Sequence, residues 1–392
     1  MRKQEIDFLL EKLSNYHPEV SDIIFTVGRP LQIMVWGELK NIYFDEVPIE
    51  SLKPFHTEIL ALTMIEGQKR LIQNLLKEGY CDFAYAIPSA RFRVNIFSQK
   101  GNYSIVMRKL PIRIPTVEEL CLPDIIKEIA QERMGLVLVT GATGSGKTTT
   151  LAAILEIINN TRPCHIITLE DPVEFVHNHK LSTFNQREMG LDFTSYADGL
   201  RAALRQAPHV ILVGEIRDRE TLEIAMQAAE TGHLVLSTMH TTDAGQTVGR
   251  AIGMFPPSDE SYVRLRISDL LKWVVSQRLL PKVGGGRIVA TEIMRKNLRV
   301  RDLIINGETA EKTFYDVLET SVALGMHTFD QSILKLYEEG LITEETAIAY
   351  ASRRSKVTME IDKIKAKRGE KTTDIEGLKI DLEYDKKIKR GV

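Results

Sequence analysis

The chain has 392 residues, 43% of them hydrophobic, more than one ordinary core holds and enough for two packed domains. Its 51 lysines and arginines nearly cancel 53 aspartates and glutamates, so a net charge of −2 excludes a global pull toward nucleic acid or anionic lipid. Three widely separated cysteines, Cys81, Cys121 and Cys164, exclude a disulfide framework and a zinc-binding Cys-x-x-Cys pair, and they fit a reducing cytoplasm.

The opening stretch "MRKQEIDFLLEKL" sets Ile6, Leu9, Leu10 and Leu13 at helical spacing, which predicts an amphipathic helix and neither a signal peptide nor an anchor. No apolar run elsewhere approaches the roughly 20 residues that span a bilayer. "SDIIFTVGRPLQIMVWGEL" alternates apolar residues on both sides of Gly28-Arg29-Pro30, the pattern of two strands and a turn. A helical stretch over 51–77 follows. "CDFAYAI" and "RFRVNIFSQKGNYSIVMRKL" then supply strands, the last two paired across Lys100-Gly101-Asn102. Residues 1–110 therefore read as an α+β domain, and Pro111 and Pro115 mark a linker over 111–119. Over 120–352 apolar strands alternate with helices, which predicts an α/β domain with a largely parallel sheet. Residues 353–392 are rich in lysine and poor in large apolar residues, and they predict a solvated helix or flexible tail.

The chemistry lies in the second domain. "GLVLVTGATGSGKTTTLAAILEII" is a buried strand, a glycine-rich loop and a helix in unbroken order, and Gly141 to Thr148 complete the pattern G-x-x-x-x-G-K-T. Glycines let backbone N–H groups face a phosphate, and the helix amino terminus adds a favourable dipole. Gly141, Thr143, Gly144, Ser145, Gly146, Lys147, Thr148 and Thr149 are thus expected to bind ATP. Lys147 would reach the β- and γ-phosphates and Thr148 would ligate Mg2+. In "HVILVGEIRD" the apolar run Val210 to Val213 delivers Gly214 where a magnesium-side aspartate is expected, so Glu215 takes that place. In "HIITLEDPVEF" an apolar strand, expected beside the phosphate loop, ends in Glu170, Asp171 and Glu174, and Glu170 is the candidate general base. "AAETGHLVLSTMHTTDA" brackets a short strand with His233 and His240, both expected to sense the γ-phosphate.

In this order, "GATGSGKT", "TLEDPVEF", "ILVGEIRD" and "TGHLVLSTMHT" resemble the Walker A motif, Asp box, atypical Walker B motif and His box of the type II/type IV secretion ATPase superfamily. Within it, the chain from Ser21 to about Ala351 is similar to the PilT/PilU branch, the twitching-motility ATPases that retract type IV pili. "RFRVNIFSQKGN", "NQREMGLD", "LRQAPHVILVGEIRD", "GGGRIVATEIM" and "LGMHTFDQSILKLYEEGLIT" carry the likeness. The resemblance implies a PAS-like amino-terminal domain, a RecA-like P-loop ATPase domain and a homohexameric ring acting on the inner-membrane pilus platform protein. It also implies that the amino-terminal domain sits over the nucleotide, with Arg93 and Arg108 approaching its phosphates. Arg91 and Arg93 share one face of a strand, Arg108 lies on its hairpin partner, and the cluster is expected to have no matching acids, so something anionic should face it.

Gln277-Arg278-Leu279-Leu280 runs straight into "PKVGGGRIV", without the four-cysteine insertion usual in pilus-extending and secretion-driving relatives, and only the short first domain precedes the linker. Both features favour retraction. Against the branch's "AIRNLIRE" signature, "VRDLIINGE" keeps Arg301, Leu303 and Ile304 but departs at Asp302 and Ile305. With "LRQAP" and the charged tail, this leans toward the accessory PilU-like type, which works beside a paralogous retraction ATPase. The alternatives are a pilus-assembly or type II secretion ATPase, a nucleic-acid translocase and an ATP-switched scaffold. For the translocase, "RFRVNIF" does interleave basic and aromatic residues, but strand alternation more simply puts Phe92, Val94 and Ile96 on one face.

Overall fold

The structure is a computed structural model and describes residues 2–47, 49–111 and 113–370; positions 371–392, the end of the expected tail, lie outside the described residues. Helix α1 (Lys3–Ser14) buries Ile6, Leu9, Leu10 and Leu13, the stripe that its spacing predicts. It covers a sheet made of β1 (Val20–Phe25), β2 (Leu31–Val35), β3 (Glu38–Ile42), β4 (Tyr80–Ile87), β5 (Ala90–Gln99) and β6 (Asn102–Leu110). The strand order is β3-β2-β1-β6-β5-β4, antiparallel throughout. The helical stretch over 51–77 is two helices, α2 (Pro54–Met64) and α3 (Lys69–Glu78), because Gly67 at φ +80° breaks the chain between them. In β5, Phe92, Val94 and Ile96 are fully buried while Arg93 is exposed, so alternation sorts core from charge. The β5–β6 turn holds Lys100 at φ +50° and Gly101 at φ +76°, left-handed values at both positions that suit the twist of a tight hairpin.

The second sheet contains β7 (Gly135–Thr140), β8 (His165–Glu170), β9 (Thr183–Glu188), β10 (Val210–Val213), β11 (Leu234–Met239), β12 (Leu271–Pro281) and β13 (Arg287–Arg295). Its order is β13-β12-β7-β11-β10-β8-β9, and only β13 runs antiparallel to its neighbour. Every residue of β7 and β11 is buried, as expected of central parallel strands covered on both faces. Helix α4 (Lys147–Thr161) follows the loop after β7. One expectation needs correction: β8 is not beside β7, since β11 and β10 lie between them. Parallel strands nevertheless end on one edge, so the tips of β7, β8, β10 and β11 still converge where α/β sheets bind ligands.

The supposed solvated tail also differs. Residues Arg354–Arg368 form a helix whose Val357 and Ile361, one turn apart, are fully buried with Phe329 and Ile333. The buried Asp330 carboxylate anchors its start, accepting from Ser352 N at 2.7 Å and Arg353 N at 2.9 Å.

Candidate nucleotide site

Gly141 opens the phosphate loop at φ +142°, and a Cβ there would stand 2.5 Å from the Gln277 carbonyl oxygen and 2.6 Å from Ser145 Oγ. Only glycine lets the loop pack this closely on β12. Gly144 at φ +77° and Gly146 at φ +91° supply the left-handed turns that follow. No side chain caps α4, so its first-turn N–H groups remain for an anion. Lys147 Nζ lies inside the curve of the loop, donating to the carbonyl oxygens of Gly141 and Ala142 at 2.9 and 3.0 Å. Burial pulls this ammonium below the usual lysine range, and Glu215 and Glu174 oppose the shift.

Thr143, Gly144, Gly146, Lys147, Thr148 and Thr149 line a cleft of about 480 Å³, and Glu170, Asp171, Glu174, Glu215 and His240 line it too. Gly141 and Ser145 do not line it; they shape the loop from behind. Glu170, at the tip of β8, is only 6% exposed. Its Oε1 accepts from Thr168 Oγ1 at 2.6 Å and from Gln186 Nε2 at 3.2 Å. Burial outweighs both bonds and pushes the carboxyl up to about 7, where a general base is most effective at neutral pH.

The missing aspartate of the third motif has a steric explanation. A Cβ on Gly214 would meet the Tyr196 hydroxyl at 2.7 Å and the Leu169 carbonyl at 3.1 Å, so a side chain at 214 fits only if Tyr196 shifts. The acid stands one residue later. Glu215 Oε1 pairs with Arg217 Nη2 at 2.6 Å, and Oε2 lies 3.3 Å from His240 Nε2. Arg217 is 72% exposed at its side chain and lines the same cleft. The Thr148 hydroxyl and Glu215 carboxylate are hard oxygen donors facing one cleft, which suits magnesium that keeps its other ligands from phosphate and water. Among the described residues no group of three or more His, Cys, Asp or Glu could hold a metal ion.

His240 and His233 part company. His240 follows β11 and reaches the cleft, whereas His233 precedes β11, at the opposite edge of the parallel sheet. There His233 contacts Ala228 O and Thr231 Oγ1 through Nδ1, and its carbonyl accepts from Gly135 N at the foot of β7. Its expected γ-phosphate role is therefore corrected to a structural one within this chain.

The arginines of the first domain also need revision. Arg108 Nε binds the buried Asp22 at 2.9 Å, and Arg91 Nη2 reaches Glu188 of the second domain at 3.6 Å, so the cluster does have acids. Neither Arg93 nor Arg108 lines the cleft. Arg93, the cross-strand partner of Arg108, is exposed, and its charge acts on Asp171, which does line it. Tyr196, Leu279 and Arg287 line the cleft as well and gave no signal of their own in the sequence. They arrive from a helix and from the β12–β13 hairpin, through topology rather than spacing.

One consequence can be measured directly. If Glu170 is the base, turnover should rise with pH through about 7 as its carboxyl loses the proton. Glu292, a buried carboxyl on β13 also pushed up to about 7, does not line the cleft and accepts from Ala244 N at 2.9 Å. Glu292→Gln should keep the pH limb, and a rate that is flat between about pH 5.5 and 8 would remove Glu170 from the mechanism. Both carboxyls hold protons more tightly than unfolded glutamate near 4.5, so their contribution to stability is full below that value and is lost as pH rises through about 7.

The strand order, the glycine loop feeding α4 and the carboxylates on one sheet edge define a P-loop ATPase with a RecA-like fold. The family model described as type II/IV secretion system protein matches residues 82–372, and the chain belongs to that family. Type IV pilus retraction ATPase PilT of Pseudomonas aeruginosa is 42% identical over 328 residues, 83% of this chain and 93% of that protein. Type IV pilus ATPase PilU of the same organism is 38% identical over 343 residues, 87% of each. A crystal structure of the pilus retraction motor PilT with bound ADP superposes with a TM-score of 0.80 at 41% identity, covering 91% of this chain and 98% of that one.

Proposed function

We propose that this chain is an ATP-driven motor that retracts type IV pili, working as a homohexamer on the inner-membrane pilus platform protein. The observation that carries the reading is one cleft that joins the phosphate loop to Glu170 and Glu215, in a chain whose relatives are pilus retraction ATPases along nearly their whole length. Lys147 and the loop N–H groups hold the phosphates, while Glu170, held by Thr168 and Gln186, takes the proton of the attacking water. Magnesium, bound by Thr148 and Glu215 with the substrate, would neutralise phosphate charge. His240, next to Glu215, is the residue that would feel the γ-phosphate.

Among the described residues no helix is long and apolar enough to cross a membrane, so contact with the membrane through the platform protein is the simplest arrangement. Phe55, Ile59 and Leu62 on α2 are exposed, an apolar surface that ring assembly would cover. The departures at Asp302 and Ile305 lean toward an accessory role, whereas identity is higher to PilT than to PilU.

Deleting the gene should leave cells piliated but unable to twitch, and the wild-type gene should restore motility. Loss of pili altogether would point to assembly instead, and normal retraction would overturn the reading. Retraction that returns only when a second retraction ATPase is also present would assign the accessory type. At the site itself, Glu215→Ala should shift the magnesium dependence of turnover to higher concentration, since it removes one of two protein ligands. An unchanged magnesium titration would exclude Glu215 as a ligand.

A further inference from the structure

Behind the phosphate loop lies a second cavity of about 320 Å³, with Leu120, Leu122 and Leu279 on its walls and Ser145 and Gln277 lining it as well. It shares Gly146, Thr149, Leu279 and Arg287 with the phosphate cleft, so the two are compartments of one site. Ser145 and Gln277 are 5% and 1% exposed, yet Ser145 Oγ and Gln277 Oε1 have no hydrogen-bond partner. Buried polar atoms of this kind are usually satisfied, and both residues belong to the walls of the cavity. Apolar walls with a few polar groups, next to a phosphate loop, suit the nucleoside part of a nucleotide.

Cys121 lines this cavity and is exposed. It sits at φ +53°, a conformation uncommon for any residue but glycine. Two turn bonds hold it there, from Cys121 N to Glu118 O at 2.9 Å and from Leu122 N to Val117 O at 3.0 Å. The other two thiols are poorly placed to compete. Cys81 is buried, which pushes its thiol up to about 11, and Cys164 is half-buried with its sulfur 3.2 Å from Ser182 Oγ.

We propose that Cys121 is a nucleotide-gated modification site, where exchange with a low-molecular-weight disulfide fills the nucleoside compartment so that the adduct and ATP exclude each other. The Cys121 thiolate attacks one sulfur of the disulfide, a new sulfur–sulfur bond forms at Cys121, and the other half leaves as a thiolate. A second thiol reverses the exchange and restores the free cysteine. The inference rests on the nucleotide reading of this site.

The test uses the full chain and the disulfide 5,5′-dithiobis(2-nitrobenzoate), with the labelled residue identified by mass spectrometry. Cys121 should react first. With Mg2+ and ATP at about ten times its dissociation constant, the labelling rate should fall about tenfold, because only nucleotide-free protein reacts. The labelled protein should lose ATP binding and turnover and regain both on reduction. In Cys121→Gly, which the positive φ suits, ATP binding and turnover, whatever their starting values, should no longer change on treatment with the disulfide. Oxidised glutathione should act in the same way, more slowly. If labelled protein still binds ATP, or if ATP gives no protection although a separate titration shows it to bind, this inference fails and the nucleotide reading stands. If unlabelled protein binds no ATP, both fail.

Discussion

Glu170→Gln is expected to lower ATP turnover by about 10² to 10⁴, the usual worth of a positioned general base, while ATP affinity stays near the wild-type value. The amide keeps the shape of the side chain and can still accept from Thr168 Oγ1 and Gln186 Nε2 through its oxygen. It cannot take a proton from water. The fold should tolerate the change, because burial already favours the neutral form of this carboxyl and pushes it up to about 7. Equal losses of turnover and affinity would instead assign Glu170 to substrate binding, and wild-type turnover would exclude it from the chemistry.

Arg93→Ala is expected to have the second large effect, a fall in turnover of about 10³ or more with little change in ATP affinity, if Arg93 meets the charge that develops in phosphoryl transfer. Its exposure and its influence on Asp171 set it just outside the cleft, so the account requires the first domain to close further onto the nucleotide. Arg108→Ala should behave differently. It strips the partner from the buried Asp22, so its loss should lower the melting temperature as well as turnover. Normal turnover in Arg93→Ala would mean that the exposed guanidinium is only a solvated surface charge, which is the commonest fate of such groups.

The phosphate loop was legible because its chemistry is local: strand, glycines, lysine and helix must be contiguous, and Gly141 to Thr148 are. The helical stripe of α1 and the alternation in β5 were legible for the same reason, since each is a short-range period. Strand order is not local, and placing β8 beside β7 failed on that account. His233 and His240 look alike from the sequence, since periodicity marks the strand between them but not which of its ends faces the ligand. Asp22 pairs with Arg108 across 86 residues, and Tyr196 fills the space denied to residue 214, contacts that only the folded chain creates.

The central claim is that the cleft between the glycine loop and Glu170 binds and hydrolyses ATP. Its most direct test is to measure ATP binding by titration and phosphate release at steady state for the purified full chain and for Lys147→Ala. The account predicts magnesium-dependent turnover by the wild type and its loss in Lys147→Ala, together with weakened binding, because the cation inside the loop is gone. Turnover that survives in Lys147→Ala, or a wild-type chain that neither binds nor hydrolyses ATP, would contradict it.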